Sequence, residues 1–323
     1  MRKTILVIIV TLLLLGDFSM IANASAGTIY ETESNNTHST ADVTYNDYDN
    51  YGKISSSSDI DWWKFTTAYE GCCNVWLGSI PSGCDYDLYL YSSSGTTLLA
   101  SSTKRTGSQE LIRFHLSANT QYKVKIQSYS GYSTSKNYKF RVFNYPLTPA
   151  HTKNLLWNIE SIYYYVDSSA SIYTSTIADA AYNWVYTGFG WNNLYPNTQT
   201  SNISDSAIDF YSYYSPPVNI GGVTVTPLGE TSHYAREYGT YGTPYIVNAD
   251  TEDWLFNEIR INNYAFSSNP SSSLATIVHE FGHAFGLAHN NDNVNSIMCQ
   301  DIYDRVVSTV QDVDHWAFVK KHP

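Results

Sequence analysis

Residues 279–289 read HEFGHAFGLAH, three histidines and a glutamate at a spacing that chemistry can use. His279 and His283 stand four apart, so on a helix they share one face and can reach a common metal ion. Zinc accepts neutral imidazole nitrogens, and three protein ligands plus water make its usual catalytic arrangement. A third ligand must return from beyond the helix. Gly286 can take the positive φ that ends a helix sharply, which lets His289 turn back toward the metal. Glu280, beside the first ligand, can reach a water at the metal without itself being a ligand. A single histidine is more often a surface or satisfied core residue. Five fixed positions in H-E-x-x-H-x-x-G-x-x-H leave little room for that reading.

Such residues need a framework. Leu274, Ile277 and Val278 carry helical spacing into the motif, and the Ser273 hydroxyl can cap that helix. Upstream, IYYYVDSS reads as a strand, and STIADAAYNWVYTG places Ile177, Ala181, Trp184 and Val185 at helical spacing. SAIDFYS, GGVTVTPLG and EIRINNYAF read as further strands, and STVQDVDHWAFVKKH as a closing helix. Strands mixed with helices predict an α/β or α+β domain over residues 159–323.

The first half has a different texture. Over residues 27–144, short alternating segments such as DIDWWKFTT and YKVKIQSYSG are separated by Ser/Gly/Asn turns, the pattern of an all-β antiparallel sandwich. Pro146 and Pro149 then mark a linker over residues 145–158. Residues 1–26 carry Arg2 and Lys3, an apolar run and small residues at Ala22, Ala24 and Ala26, which reads as a secretory signal peptide. No later segment is apolar enough to span a bilayer. The net charge of −11 argues against nucleic acid and anionic membrane surfaces as partners. Cys72, Cys73, Cys84 and Cys299 allow three pairings outside the cell, of which Cys72 or Cys73 with Cys84 is the local one.

ETESNN, DIDWWKFT and DYDLYLYSSSG, in that order, resemble the bacterial pre-peptidase C-terminal domain. That resemblance implies a small β-sandwich of the kind attached to secreted peptidases, commonly at the other end of the chain. Glu31, Glu33, Asp59, Asp61, Asp85 and Asp87 can supply oxygen ligands to Ca2+, as in related collagen-binding sandwiches, or can be solvated loop carboxylates. Exposed tyrosines can bind an insoluble polymer or cell-surface ligand, and ordinary sandwich packing accounts for them equally well.

The extended histidine motif, with SIM at residues 296–298, resembles the metzincin metallopeptidases, and the short step from His289 to Met298 is matrixin-like. The resemblance implies an α+β, zincin-like catalytic domain with a mixed sheet and an active-site helix. It implies one catalytic Zn2+ on His279, His283 and His289, Glu280 as the base, and Met298 as a structural floor. SAIDFYS resembles the third matrixin strand and GGVTVTPLG the fourth, an edge strand. Substrate then adds antiparallel to Val223, Thr224 and Val225 through main-chain hydrogen bonds. The chain departs from the pattern in three ways. Asn290 replaces the serine that matrixins prefer, Gln300 stands where astacins and serralysins place a tyrosine, and no matrixin structural zinc or calcium loop is evident. A cysteine-switch segment is also not found.

The expectation is a secreted zinc endopeptidase acting on extracellular proteins, with the side chains of its S1′ wall drawn from residues 291–304. Two other readings stand beside it. One is a surface-binding or adhesive protein with a vestigial structural zinc site, which loss of Glu280 or of a ligand would mark. The other is a hydrolase of peptidoglycan cross-links.

Overall fold

The structure, a computed structural model, describes residues 26–189, 192, 194, 197–220, 223–237, 242–300 and 307–323. The expected signal peptide lies outside them except at its last residue.

Ten strands form the first unit: β1 (Gly27–Tyr30), β2 (Asp42–Val43), β3 (Tyr48–Gly52), β4 (Ile60–Thr66), β5 (Gly71–Gly78), β6 (Asp85–Tyr91), β7 (Leu98–Ser102), β8 (Glu110–Leu116), β9 (Gln121–Ser130) and β10 (Tyr138–Asn144). Two five-stranded sheets, ordered β1-β3-β10-β5-β8 and β2-β4-β9-β6-β7, lie over a shared apolar core. Alternation supplies that core: Trp63 and Phe65, Val75 and Leu77, Leu88 and Leu90, Val124 and Ile126 are all buried. The sandwich is not wholly antiparallel, because β1 pairs with β3 and β2 with β4 in parallel. The chain alternates between the sheets at its start, so strands two apart enter the same sheet in the same direction. The local disulfide is also absent. Cys73 and Cys84 are buried free thiols, and burial among apolar side chains pushes the Cys73 thiol far up.

The second unit contains β11 (Tyr163–Val166), α1 (Thr174–Val185), β12 (Thr198–Thr200), β13 (Ile208–Tyr213), β14 (Val218–Ile220), β15 (Val223–Val225), β16 (Gly229–Arg236), β17 (Pro244–Val247), β18 (Phe256–Asn262), α2 (Asn263–Phe266), α3 (Leu274–Ala284) and α4 (Asp312–Lys321). Its six-stranded sheet runs β12-β11-β13-β18-β16-β17. The first four strands are mutually parallel and β16 runs antiparallel to both of its neighbours, so the sheet is mixed. Helix α3 packs on α1, β16 and β18. Trp184 lies at the centre of this packing: its ring meets Phe285 and Phe318, and its Nε1 donates to Val278 O at 2.9 Å. Ser273 does not cap α3 with its side chain. A 3-10 turn at Pro270–Ser273 precedes the helix, and the Ser273 hydroxyl donates back to Pro270 O instead.

The edge-strand expectation needs correction. Val223, Thr224 and Val225 form β15, which pairs with β14 in a separate two-stranded sheet. Two short apolar runs flanking the Gly221-Gly222 pair satisfy each other as a local hairpin, as such a spacing favours. The antiparallel strand beside α3 is β16, which starts at Gly229, beyond the expected residues, and β17 covers only its second half. Among the described residues, positions 229–232 of β16 pair on one side alone.

The stretch expected as a linker is laid onto the second unit. His151 N donates to Gly286 O at 2.8 Å, Leu156 N to Trp254 O at 2.8 Å, and Lys321 Nζ to the carbonyls of His151 and Lys153. Helix α4 also packs on β5 of the sandwich, with Lys320 Nζ bonded to Glu70 at 2.7 Å and the rings of His115 and Trp316 4.8 Å apart. Among the described residues no helix is long and apolar enough to cross a membrane.

Candidate metal centre

Helix α3 ends where the sequence motif needs it to. Gly286 has φ +89°, Leu287 N donates to Gly282 O at 2.9 Å, and Gly286 N donates to His283 O at 2.8 Å. Paired closing bonds of this kind satisfy the orphan carbonyls while the left-handed glycine reverses the chain. His289 is thereby brought back to the two helix histidines. Its Nε2 lies 3.1 Å from His283 Nε2, which lies 3.1 Å from His279 Nε2.

That convergence decides the tautomers. His279 Nδ1 is 2.8 Å from Ile297 O and His283 Nδ1 is 2.8 Å from Leu287 O. Carbonyl oxygens only accept, so each Nδ1 carries the hydrogen and each Nε2 turns its lone pair toward its neighbours. Lone pairs facing across 3.1 Å repel unless a cation lies among them. A proton is disfavoured there. Burial holds the His283 imidazole well below its usual range, and the charges of His279 and His289 add to the effect. Two zinc–imidazole bonds of about 2.0–2.1 Å at a tetrahedral angle separate their nitrogens by roughly 3.3 Å, so the donor set fits one tetrahedral zinc ion. His289 is exposed, which leaves the cluster open on one side.

Met298 lies beneath and is fully buried. A Cβ built on Gly282 would overlap its thioether and touch Trp184 Cζ2, so the residue between Phe281 and His283 must be small. The Met298 turn is itself pinned from α4. Asp314, fully buried, accepts from Ile297 N at 2.9 Å, Thr148 Oγ1 at 2.6 Å, Gln311 N at 3.1 Å and the Ser296 hydroxyl. Burial pushes this carboxyl up to about 6, against the pull of those donors. Because Ile297 presents its carbonyl to His279, the bond from Ile297 N to Asp314 helps aim the His279 ring. Asn290 is buried, with Nδ2 bonded to Thr148 Oγ1 at 3.0 Å and N to Met298 O at 2.9 Å. The serine of the resemblance is thus replaced by a tie between the former linker and the turn. Gln300 N donates to Asn291 Oδ1, and residues 301–304 of the expected S1′ wall lie outside the described residues.

Glu280 is 6% exposed, and its Oε2 accepts from Thr231 Oγ1 of β16 at 2.7 Å. Sequence reading missed Thr231, Thr148 and Asp314. The signals were faint: Thr231 alternates with His233 along one strand face, and Asp314 stands three residues after Gln311 in a capping box. Gly286→Ala is expected to cost about 1–2 kcal/mol of stability through the left-handed backbone. Its Cβ would also stand 3.0 Å from Lys321 Cε and 3.4 Å from Trp254 Cη2. Denaturant unfolding with and without zinc checks this, and an unchanged midpoint in both would count against Gly286 as the turning point.

A second group of donors sits in the sandwich. Carboxylate oxygens of Glu31, Glu33 and Asp61 lie within 4.8 Å of one another. Asp61 is fully buried, and its Oδ1 and Glu31 Oε2 have no donor. Burial pushes Glu31 up to about 7, with the charges of Glu33 and Asp59 adding and a hydrogen bond from Asp61 opposing, and pushes Asp61 up to about 9, with the charge of Glu31 adding. Asp59 lies close enough for its charge to act on Glu31, Glu33 and Asp61, while accepting from Ser55 N and Oγ. Asp85 accepts from Thr106 Oγ1 and Asp87 from Tyr89 OH. All three aspartates are buried, so solvated loop carboxylates they are not.

No protein-family model matches the chain, and no curated protein matches it. Among solved structures it is similar to the pre-peptidase C-terminal domain of a Bacillus anthracis collagenase, at 15% identity and TM-score 0.27, over 32% of this chain and 93% of that one. It is also similar to an insecticidal delta-endotoxin of Bacillus thuringiensis, at 8% identity and TM-score 0.20, over 32% and 25% of the two chains. A third likeness is to the CBM22 and GH10 modules of a Clostridium thermocellum xylanase, at 13% identity and TM-score 0.19, over 49% and 30%.

Proposed function

We propose that the chain is a secreted zinc-dependent endopeptidase of metzincin, matrixin-like type. The observation that carries this reading is the convergence of three imidazole Nε2 atoms, with the Nδ1 hydrogens of His279 and His283 committed to backbone carbonyls, next to a buried glutamate. His279, His283 and His289 hold the metal. Zinc bound there supplies Lewis acidity and lowers the pKa of a bound water toward about 7. Glu280 accepts the proton of the attacking water and returns it to the leaving amine. An extended peptide adds to residues 229–232 of β16, whose outer edge has no strand partner among the described residues. His289, exposed at the mouth, faces the side from which substrate enters. The adhesive and peptidoglycan readings are weaker because Glu280 and all three ligands are retained and an edge strand suited to polypeptide runs beside them.

Calcium in the sandwich is the second part of the proposal. Glu31, Glu33 and Asp61 hold it, and the observation in favour is a pair of buried carboxylate oxygens with no donor. The sandwich then serves as the unit that binds an insoluble polymer or cell surface.

Casein clearing tests the activity. The chain without residues 1–26 is expected to clear casein, to lose clearing in a zinc chelator and to regain it on adding zinc. Clearing that survives complete metal removal, or no clearing with one zinc bound per chain, would sink the peptidase reading.

A further inference from the structure

The carboxylate of Glu280 is seated by two positions of β16 for which the histidine motif gives no hint. Thr231 Oγ1 stands 2.7 Å from Glu280 Oε2 and 3.1 Å from Glu280 O. One hydroxyl has one hydrogen. The shorter contact goes to the group that carries charge, and a hydroxyl–carboxylate bond is worth about twice a neutral one, so Oε2 receives it. Two residues earlier on the same strand face, Gly229 leaves room for the other oxygen: a Cβ there would lie 3.1 Å from Glu280 Oε1 and 3.0 Å from Thr276 Cγ2. The strand thus offers a gap for one carboxylate oxygen and a donor for the other.

A plainer role is a simple tie between strand and helix through Glu280 O. The geometry speaks against it as the main role. The backbone carbonyl contact is the longer of the two, and β16 is already fixed by its ladder to β18, in which Thr231 faces Ile259. A strand held on one side by main-chain bonds needs no hydroxyl to stay in place, whereas a glutamate with three rotatable bonds gains from each donor that favours one rotamer.

We infer that Thr231 is a positioning residue for peptide hydrolysis, its hydroxyl holding the Glu280 carboxylate in the orientation from which it accepts the water proton. This rests on the peptidase reading above. Because the same strand offers its outer edge to substrate, docking a peptide on residues 229–232 and holding the base are functions of one element.

Thr231→Val keeps the shape of the side chain and removes the hydroxyl. With dye-labelled casein and zinc-loaded protein, kcat is expected to fall about tenfold, the size of one charge-assisted bond, with KM and zinc content unchanged. Thr231→Ser is expected to stay within about twofold of wild type. In a Glu280→Asp background, where the shortened side chain no longer reaches Thr231, the Thr231→Val loss is expected to disappear. If the valine variant folds poorly, Thr231→Ala against Thr231→Ser gives the same comparison. A valine or alanine variant at wild-type kcat, or a serine variant as slow as either, overturns the Thr231 role alone. An inactive wild type that binds zinc overturns the peptidase reading and this role with it.

Discussion

Glu280→Ala is expected to bind one zinc ion per chain as the wild type does and to turn over casein about 10²–10⁴-fold more slowly, the usual contribution of a general base. The separation follows from where the side chain points. Glu280 is tied to β16 through Thr231, while the metal donors are the three imidazoles, whose Nδ1 hydrogens are held by Ile297 and Leu287 for two of them. Removing the carboxylate leaves that cradle intact. His279→Ala, His283→Ala or His289→Ala behave differently, losing zinc and activity together, since two imidazoles cannot replace three. Zinc content by elemental analysis beside initial rates distinguishes the two classes. Wild-type turnover in Glu280→Ala would falsify the base role.

The second large effect concerns the sandwich. Calcium is expected to raise the melting temperature of the full chain at pH 8 by on the order of 5–10 °C at about 100 times its Kd, which corresponds to about 2.7 kcal/mol. The gain is expected to shrink toward zero at pH 5. Glu31 and Asp61 are raised in the folded state, from 4.5 to about 7 and from 3.8 to about 9. A group raised on folding contributes stability that is complete below its unfolded pKa and is lost as pH rises through the folded one. Without a cation the sandwich therefore weakens between about pH 4 and 9. Calcium takes the ionised carboxylates and so competes with protons, which places its benefit at high pH. Glu33→Gln, on the exposed rim, is expected to remove most of the calcium effect while leaving the core intact. A shift equally large at pH 5, or none at pH 8, would remove calcium from the site.

How much of this was legible depended on distance along the chain. The three histidines, Gly286 and Met298 lie within twenty residues of one another, and a helix, a reversing turn and a return segment are local structures that spacing can encode. The sandwich core followed from alternation, and the mixed sheet was what the family resemblance implied. What alternation cannot say is which partner a strand takes. Val223, Thr224 and Val225 read the same as sheet edge or hairpin arm, and in the fold they pair with β14 as a hairpin arm. Parallel pairing of β1 with β3 escaped for the same reason, since it is set by where the intervening strand goes. Thr231 and Asp314 are separated from the motif by 49 and 17 residues and act through contacts that only the folded chain creates. The linker expectation erred because Pro146 and Pro149 signal an extended chain, and an extended chain can equally lie along a neighbour, as residues 148–156 do.

That last segment sets the reach of the molecule. A loose tether would let the cleft sweep a volume around whatever the sandwich holds, at an effective concentration fixed by tether length. Here His151 and Leu156 are bonded into the second unit, and Lys320 meets Glu70 across to the sandwich, so there is almost no slack to sweep with. The blade is mounted on its clamp. Under the proposed function, a sandwich that holds a surface would present the three histidines to polypeptide at one distance and one angle from the point of attachment.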